Sequence, residues 1–539
     1  MKRRFASVLV VLFLVASGEL CAQDADARLG RASFANSGNG SAQEPFLRGV
    51  LLLHSFEYAD AATAFREAQA ADSNFAMAYW GEAMTYNHPL WFQHDRDAAV
   101  EVLNRLAPAR EERLATAGTD RERDFLDAAE TLYGEGDLYE RNRAYRDAMR
   151  RMYELYPEDD EVATFYALSI LGTSEDGRDF ATYMKAASIA DVVFRRNPDH
   201  PGAAHYLIHS FDDPIHAPLG LRAARAYSQI APGASHALHM PTHIFVALGM
   251  WEDVAEMNVR SWQASVDRAK RLDLSSSAYS YHSINWELYA RTQMGQFEKA
   301  RDLARRVRSL YEEGGGRGVH YYLARMVATY ISESEDWAFA SEVSPVDVDE
   351  LELGTAAMYR FGLGLASIRT GSVDGAEAAV RDIRGWRTEE AAREEEVDDA
   401  SMGQYRQGLE VAIVLEHELE ALIEQARGNT DRAIEILLRA RDIETAMSFD
   451  YGPPYIVKPS AELLGEMLLA SGKFAESVEA FDLALERAPG RSLSLEGLAE
   501  AAAAAGLEKR AAEAAALLAD NKRNADKTRD LVPIGATRN

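Results

Sequence analysis

Histidine residues recur along this chain at an interval of 34 residues. His205 and His239 are 34 positions apart, and so are His209 and His243. An interval of this length is typical of a repeat in which each unit contributes one pair of helices and contacts only its neighbours. Equivalent positions of successive units then lie on one continuous surface. The spacing therefore predicts a helical solenoid that carries these four imidazoles on the same face.

Glycine, aromatic and proline residues give the frame of the repeat. The clearest unit begins at Lys458 and carries Gly465, Gly472, Phe481, Ala484 and Pro489 at positions 8, 15, 24, 27 and 32. The same frame fits Gly49, Ala61, Phe65 and Ala68. This pattern resembles the tetratricopeptide repeat superfamily. The resemblance implies an all-α fold, a right-handed superhelical solenoid of helix hairpins whose first helices line a concave groove.

Three segments are similar to a group of exported bacterial tetratricopeptide proteins, namely residues 205–214, 236–245 and 451–459. The resemblance implies a fold and a compartment. For the repeat class in general it implies binding of peptides or assembly of complexes.

The frame divides the chain into seven segments. They are a signal peptide (1–22), N-terminal units (45–90), divergent units with insertions (91–200), histidine-rich units (201–310), divergent units (311–450), C-terminal units (451–522) and a disordered tail (523–539). The signal peptide is predicted from Lys2, Arg3 and Arg4, which precede a short apolar run and a cleavage point after Ala22. We therefore expect an exported protein, periplasmic or extracellular, without a membrane span.

Charge and cysteine content limit which partners and which metal ligands the chain can have. The chain has 86 Asp and Glu against 58 Lys and Arg, a net charge of -28, which would repel a phosphate backbone. We therefore expect no nucleic-acid partner. The single cysteine, Cys21, would leave with the signal peptide, so any metal ligand in the mature chain must be His, Asp, Glu or Tyr.

The repeat frame predicts a metal site. From the resemblance, positions 2, 5, 9, 12 and 13 of the first helix point into the groove. Histidines four residues apart lie on one helix face, where two imidazoles can bind one ion. The residues that occupy such positions in consecutive units, and that we predict as metal ligands, are His205, His209, His236, His239, His243 and His282.

Other residues fall on groove positions of the same frame. We predict that they contact a groove ligand: His54, His88, Trp80, Asp212, Asp213, Asn285, Tyr289, Glu462 and Glu466. Single residues of this kind are also compatible with inter-repeat packing or with a solvated helix face.

Imidazoles with carboxylate neighbours suit copper(II), zinc, iron or nickel, and the lack of thiolate argues against copper(I) storage and blue copper.

The sequence is compatible with three functions. The first is an exported solenoid whose histidine cluster binds a transition metal and uses it to bind or transform a small molecule or peptide. The second is a metal-free scaffold for protein–protein interaction. The third is a metal-dependent oxidoreductase or hydrolase, and the sequence leaves catalysis open.

Overall fold

The computed structural model describes residues 28–174, 177–342, 345–397, 399–449 and 452–526. The predicted signal peptide (1–22) and residues 527–539 of the predicted tail lie outside these ranges. Among the described helices, none is both long enough and apolar enough to cross a bilayer.

The described residues form 26 α-helices in chain order. The first eleven are α1 Gly40–His54, α2 Tyr58–Ala71, α3 Ala76–Met84, α4 Arg96–Leu106, α5 Arg110–Ala115, α6 Asp120–Leu132, α7 Leu138–Leu155, α8 Asp160–Leu171, α9 Phe180–Arg196, α10 Pro201–Ser210 and α11 Ala217–Ile230. The next seven are α12 Ser235–His239, α13 Pro241–Ala247, α14 Trp251–Arg271, α15 Tyr281–Gln293, α16 Phe297–Glu312, α17 Gly316–Ser334 and α18 Phe339–Glu342. The last eight are α19 Leu353–Arg369, α20 Val373–Ala391, α21 Asp399–Ala426, α22 Thr430–Ala446, α23 Ser460–Ala470, α24 Phe474–Arg487, α25 Ser492–Ala504 and α26 Glu508–Asn521.

Short elements interrupt this helical series. Strands β1 (Asn87–His88) and β2 (Gln93–His94) pair antiparallel, and single 3-10 turns occur at Pro89–Trp91, Ser276–Ala278 and Glu394–Glu396.

Consecutive helices pack in pairs, such as α8 with α9, α10 with α11, α15 with α16 and α23 with α24. The first helices of successive pairs also contact one another, as α15, α17, α19, α21, α23 and α25 do in turn. This arrangement confirms the predicted all-α superhelical solenoid of helix hairpins.

Glycines at equivalent positions let the helices approach around an aromatic ring. A methyl group added at Gly49 would lie 2.7 Å from the Phe65 ring, and one added at Gly465 would lie 2.9 Å from the Phe481 ring. The ring of Phe481 also meets Gly497 of the next unit. The repeat keeps glycine here because a β-carbon would overlap the ring that fills the centre of each hairpin.

We expect Gly81→Ala to lower the free energy of unfolding by about 1–3 kcal/mol, because the new β-carbon would lie 2.3 Å from the buried Phe65 ring. Urea denaturation followed by circular dichroism measures this change. Gly385→Ala is the matched control, since it lies inside α20 and its β-carbon would meet nothing within 4 Å. The control should gain up to about 1 kcal/mol from helix propensity. Equal midpoints for the two variants would contradict the packing role of Gly81.

Units distant in sequence meet where the superhelix closes. The indole Nε1 of Trp251 donates to the Gly490 carbonyl at 3.1 Å, beside a backbone contact between Gly249 and Gly490. Both glycines have positive φ, +68° and +73°, and the two α-carbons come so close that a side chain on either would collide with the other. The end of α14 is tied to the N-terminal hairpin by Arg268, which donates to Asp60 at 2.7 Å.

A buried charge network forms a second closure. Arg491 is fully buried and pairs with Glu462 of α23 at 2.7 Å and with Glu333 of α17. Lys458 lies 2.9 Å from the other oxygen of Glu462. Next to it, the Ser492 backbone N–H donates to the Gln293 side chain of α15 at 2.9 Å. The C-terminal units are therefore anchored on the central ones by charged hydrogen bonds as well as by apolar packing.

Residues 523–526 also contact the central units. The side chains of Arg523 and Asn524 donate to Glu252 at 3.0 and 2.7 Å, and the Asp526 backbone N–H donates to the Gly295 carbonyl at 3.1 Å.

Candidate metal centre

Three neighbouring repeat units carry the six predicted histidine ligands. His205 and His209 lie on α10, and His282 lies near the start of α15. His236 and His239 lie on α12, and His243 follows on α13. Met240, between α12 and α13, keeps helical backbone angles, so Pro241 removes one backbone hydrogen bond without changing the helical course of the chain. His239 and His243 therefore share one face although two short helices carry them.

His205, His209 and His236 form a first group, called triad one below. The Nε2 atom of His205 lies 3.0 Å from Nε2 of His209 and 3.2 Å from Nε2 of His236. The ligand nitrogens of all three lie within 4.8 Å of one another.

His239, His243 and His282 form a second group, triad two. Nε2 of His239 lies 3.1 Å from Nε2 of His243, and the ring centroids of His239 and His282 are 4.5 Å apart. Here too the ligand nitrogens lie within 4.8 Å of one another. The sequence predicted one metal site, whereas the structure arranges the six rings as two adjacent triads.

In three of these imidazoles the Nδ1 atom, which faces away from the triad and is called the outer nitrogen, forms a hydrogen bond; Nε2 is the inner nitrogen. Nδ1 of His205 donates to the backbone carbonyl of His54 at 2.7 Å, and Nδ1 of His239 donates to Asn258 Oδ1 at 2.7 Å. Nδ1 of His243 is bonded to the Asp212 carboxylate. Asn258 is held by its own amide, which donates to Val254 O at 2.8 Å, so its oxygen faces His239.

These bonds fix which nitrogen carries the proton in two of the rings. A neutral imidazole carries one N–H, and in His205 and His239 an acceptor holds it at Nδ1. Their Nε2 atoms therefore present lone pairs inward. The Nε2 atom of His243 faces that of His239 at 3.1 Å. Two ring nitrogens at this distance need a proton or a metal ion between them.

Burial keeps most of these imidazoles neutral. It lowers the pKa of His205 and of His282 to about 3 each, with the nearby His243 adding to both effects. It also lowers the pKa values of His209, His236 and His239 well below the usual range, reinforced by neighbouring imidazoles. Protons therefore do not compete for these nitrogens near neutral pH, and the ligand form is present.

Aromatic rings enclose the two triads. Phe56 lies against triad one, with its ring centroid 4.3 Å from that of His205. Trp286, one turn after His282 on α15, lies 4.8 Å from His239 and 4.5 Å from His243. A methyl group at Gly452, where φ is +91°, would lie 2.0 Å from the Trp286 ring. The backbone before α23 thus lies directly on the aromatic wall of triad two.

A third group, His54, Glu161 and His200, is fully buried beside triad one. Glu161 accepts from Nε2 of His54 at 2.8 Å and from Nε2 of His200 at 3.3 Å. Nδ1 of His54 lies 2.9 Å from the Tyr206 hydroxyl, and Nδ1 of His200 accepts from the Ala203 N–H at 3.2 Å. Every donor meets an acceptor, so hydrogen bonds alone account for this group.

The other predicted groove residues take different places. Asp212 bonds to His243, as described, and Asp213 holds Arg178 at 3.0 Å and Nδ1 of His216 at 2.9 Å. His54 belongs to the Glu161 group. His88 stacks on Tyr58 with centroids 4.0 Å apart.

Trp80, Tyr289 and Asn285 are buried. Trp80 packs against Phe125 and Phe165 in the core, and Tyr289 stands edge-on to Trp251. The Oδ1 atom of Asn285, one turn from His282, has no hydrogen-bond partner among the described residues.

Glu462 and Glu466 belong to the buried charge network. Glu462 pairs with Arg491 and Lys458. Glu466 pairs with Lys458 and, at 3.1 Å, with Arg369.

A cavity of about 90 Å³ leads to triad two. Its lining includes Asp212, His243, Trp251 and Tyr289, together with Phe449, Pro454 and Ile456 between α22 and α23 and Arg487 at the end of α24. A small molecule or a peptide side chain entering this cavity reaches His243.

Sequence reasoning missed several residues that shape the site. Trp286 follows His282 by four residues, so helical spacing could have placed it on the same face. No such signal marks Asn258 and Glu161, which meet histidines from other helices, or Gly452, which meets Trp286 from a distant unit.

No family model matches the chain, and no curated protein sequence matches it. Solved structures of low similarity do match along most of its length. The human IFIT1 dimer with m7Gppp-AAAA is 14% identical over 91% of this chain and 91% of that chain, with a TM-score of 0.37. The tetratricopeptide repeat domain of P58(IPK) is 12% identical over 87% of this chain and 99% of that chain, with a TM-score of 0.21. Likenesses this weak carry no argument about ligands or function.

Proposed function

We propose that this protein binds a transition metal in the histidine cluster and uses it to bind or transform a small molecule or peptide in the adjacent cavity. The observation that carries the proposal is the close approach of the inward Nε2 atoms of His239 and His243, 3.1 Å apart, with their outer nitrogens bonded to Asn258 and Asp212. Histidine ligands of metals are held in this way by outer hydrogen bonds.

The contrast with the Glu161 group supports the same assignment. Both sets of side chains are buried, and both contain histidines. In the Glu161 group a carboxylate accepts both imidazole protons. Among the described residues, no carboxylate lies between the inner nitrogens of triad two, and a metal ion would accept their electron pairs. Neutral nitrogen ligands without thiolate favour copper(II), zinc, iron or nickel.

The proposal includes export and excludes a nucleic-acid partner. Support for export comes from the basic N-terminus and apolar run before Ala22. The net charge of -28 supports the exclusion of nucleic acid, because a phosphate backbone would be repelled. The same acidic surface attracts cations.

The test replaces one ligand of each triad, as His209→Ala with His243→Ala. We expect the purified wild-type protein, dialysed against a limiting mixture of zinc and copper(II), to retain stoichiometric metal by elemental analysis. The double variant should retain at least tenfold less, because each triad loses a nitrogen, while its circular dichroism stays helical.

His94→Ala with His417→Ala is the matched control, since it removes two imidazoles outside the cluster and should leave metal content unchanged. Wild-type protein without bound metal would overturn the proposal. In that case a proton would occupy the gap between His239 and His243, and the metal-free scaffold would account better for the chain. Equal metal in wild type and the cluster variant would also overturn it.

A further inference from the structure

Each triad has by itself the dimensions of a metal site. The inner nitrogens approach at 3.0 and 3.2 Å in triad one and at 3.1 Å in triad two, and within each triad all lie within 4.8 Å. Three nitrogens bound to one ion at about 2.0–2.1 Å lie about 3.3–3.6 Å apart. Small side-chain adjustments are therefore enough for either triad to close on an ion.

The two triads are neighbours rather than separate sites. The ring centroids of His209 and His243 are 5.9 Å apart, and those of His236 and His239 are 6.2 Å apart. His236 and His239 are three residues apart on α12, so one turn of helix supplies a ligand to each triad. The helices α10 and α13 that carry His209 and His243 are also in contact.

We propose that the cluster holds two transition-metal ions, one in each triad, joined by a small exchangeable anion. This rests on the proposed function, because it assumes that the cluster binds metal, and it adds the number of ions and the class of ligand between them.

Coordination number supports a shared ligand. Three protein nitrogens leave at least one position of each ion open, as in catalytic sites, where water or substrate occupies it. Paired ions in enzymes lie about 3.5–4 Å apart and share an oxygen ligand. Because rings of the two triads lie 5.9 and 6.2 Å apart by centroid, we place one bridging ligand between the two ions.

Charge supports an anion as the bridge. The six imidazoles supply no negative charge, while two divalent ions bring four positive charges into a buried region. Among the described residues, two carboxylates contact the cluster: Asp212 at His243 Nδ1 and Glu57, which accepts from the His236 backbone N–H at 3.0 Å. Asp213 is already paired with Arg178. A bound anion such as hydroxide, or azide when it is supplied, offsets part of the positive charge that remains.

The surroundings provide access for such a ligand. The cavity of about 90 Å³ reaches His243, and Asp212 and Tyr289 line it as well. The Asn285 oxygen, one turn from His282, is buried and meets no hydrogen-bond donor in the described part of the chain, so it can accept a hydrogen bond from hydroxide or water. A small anion is the ligand class that fits, and hydroxide can in addition donate to the Asn285 oxygen.

The test uses the full-length protein stripped with a chelator, loaded with copper(II) and freed of excess metal by gel filtration. We expect about two copper ions per chain. The electron paramagnetic resonance signal should account for far less than the total copper, because a bridge couples the two ions. Added azide should change the absorption spectrum with about one azide per two copper ions.

Two variants separate the triads. His205→Ala with His209→Ala opens triad one, and His239→Ala with His243→Ala opens triad two. Each should hold about one copper ion with full resonance intensity, while His94→Ala with His417→Ala should behave as wild type. One copper ion in the wild type and none in either cluster variant would overturn the two-ion inference and leave the proposed function standing. A wild type that binds no copper, zinc, iron or nickel would overturn both. The wild-type count and resonance signal decide the question even if a variant does not fold.

Discussion

Replacing Arg491 with leucine should lower the free energy of unfolding by about 3–5 kcal/mol. The guanidinium is fully buried, pairs with Glu333 and Glu462 and donates to the Val457 carbonyl at 3.2 Å. Without it, Glu333 would remain buried without its cation, in a place where burial already raises its pKa. Urea denaturation at neutral pH, followed by circular dichroism, measures the change.

Arg432→Leu is the control for Arg491→Leu. Arg432 pairs with Glu435 at 2.9 Å, but both side chains are more than half exposed, so we expect a change within about 0.5 kcal/mol. Arg491→Lys should fall between the two, because a single ammonium cannot reproduce the two-pronged pairing with Glu462. An Arg491→Leu midpoint equal to that of the control would refute a structural role for the network.

Replacing Glu161 with leucine is the second large effect that we expect. The substitution keeps a similar volume but leaves Nε2–H of His54 and of His200 buried without an acceptor. Each unsatisfied donor costs about 1–3 kcal/mol, so the variant should lose about 2–6 kcal/mol of unfolding free energy. Thermal and urea denaturation of metal-free protein measure this loss.

The comparison for Glu161→Leu is Glu158→Leu, which makes the same chemical change at an exposed side chain paired with Arg196. We expect that control to stay within about 0.5 kcal/mol. Metal binding gives a second readout, because the His54 carbonyl positions His205. Glu161→Leu should weaken metal binding. If stability and metal affinity were both unchanged, the Glu161 group would support neither the fold nor the cluster.

The repeat frame was predictable because it follows from residues close together in sequence. Gly465 and Phe481 are sixteen positions apart and touch within one hairpin. The approach of His205 to His209 follows in the same way from one helical turn, as does that of His239 to His243. Contacts of this kind can be predicted because they follow from the periodicity of the helix and of the repeat.

Contacts between units that are distant in sequence could not be predicted from this periodicity. Trp80 occupies a groove position of the frame, yet α3 is covered by both α1 and α6, so the indole is enclosed. Glu462 meets Arg491 and the α17 residue Glu333 because the superhelix curves back on itself. The division of the histidines into two triads depends on which nitrogen each ring turns inward, and partners such as Asn258 on other helices decide that.

The closure of the superhelix has a consequence for how the molecule unfolds. In an open array of repeats, stability is a sum over neighbours, and terminal units fray independently of the middle. Here Trp251 bonds to Gly490, Gln293 to Ser492 and Asp60 to Arg268, which join the first, central and last units. The chain should therefore unfold in a single cooperative transition. Removal of the last hairpin should also destabilise the histidine cluster, although the histidines lie more than two hundred residues earlier in the sequence.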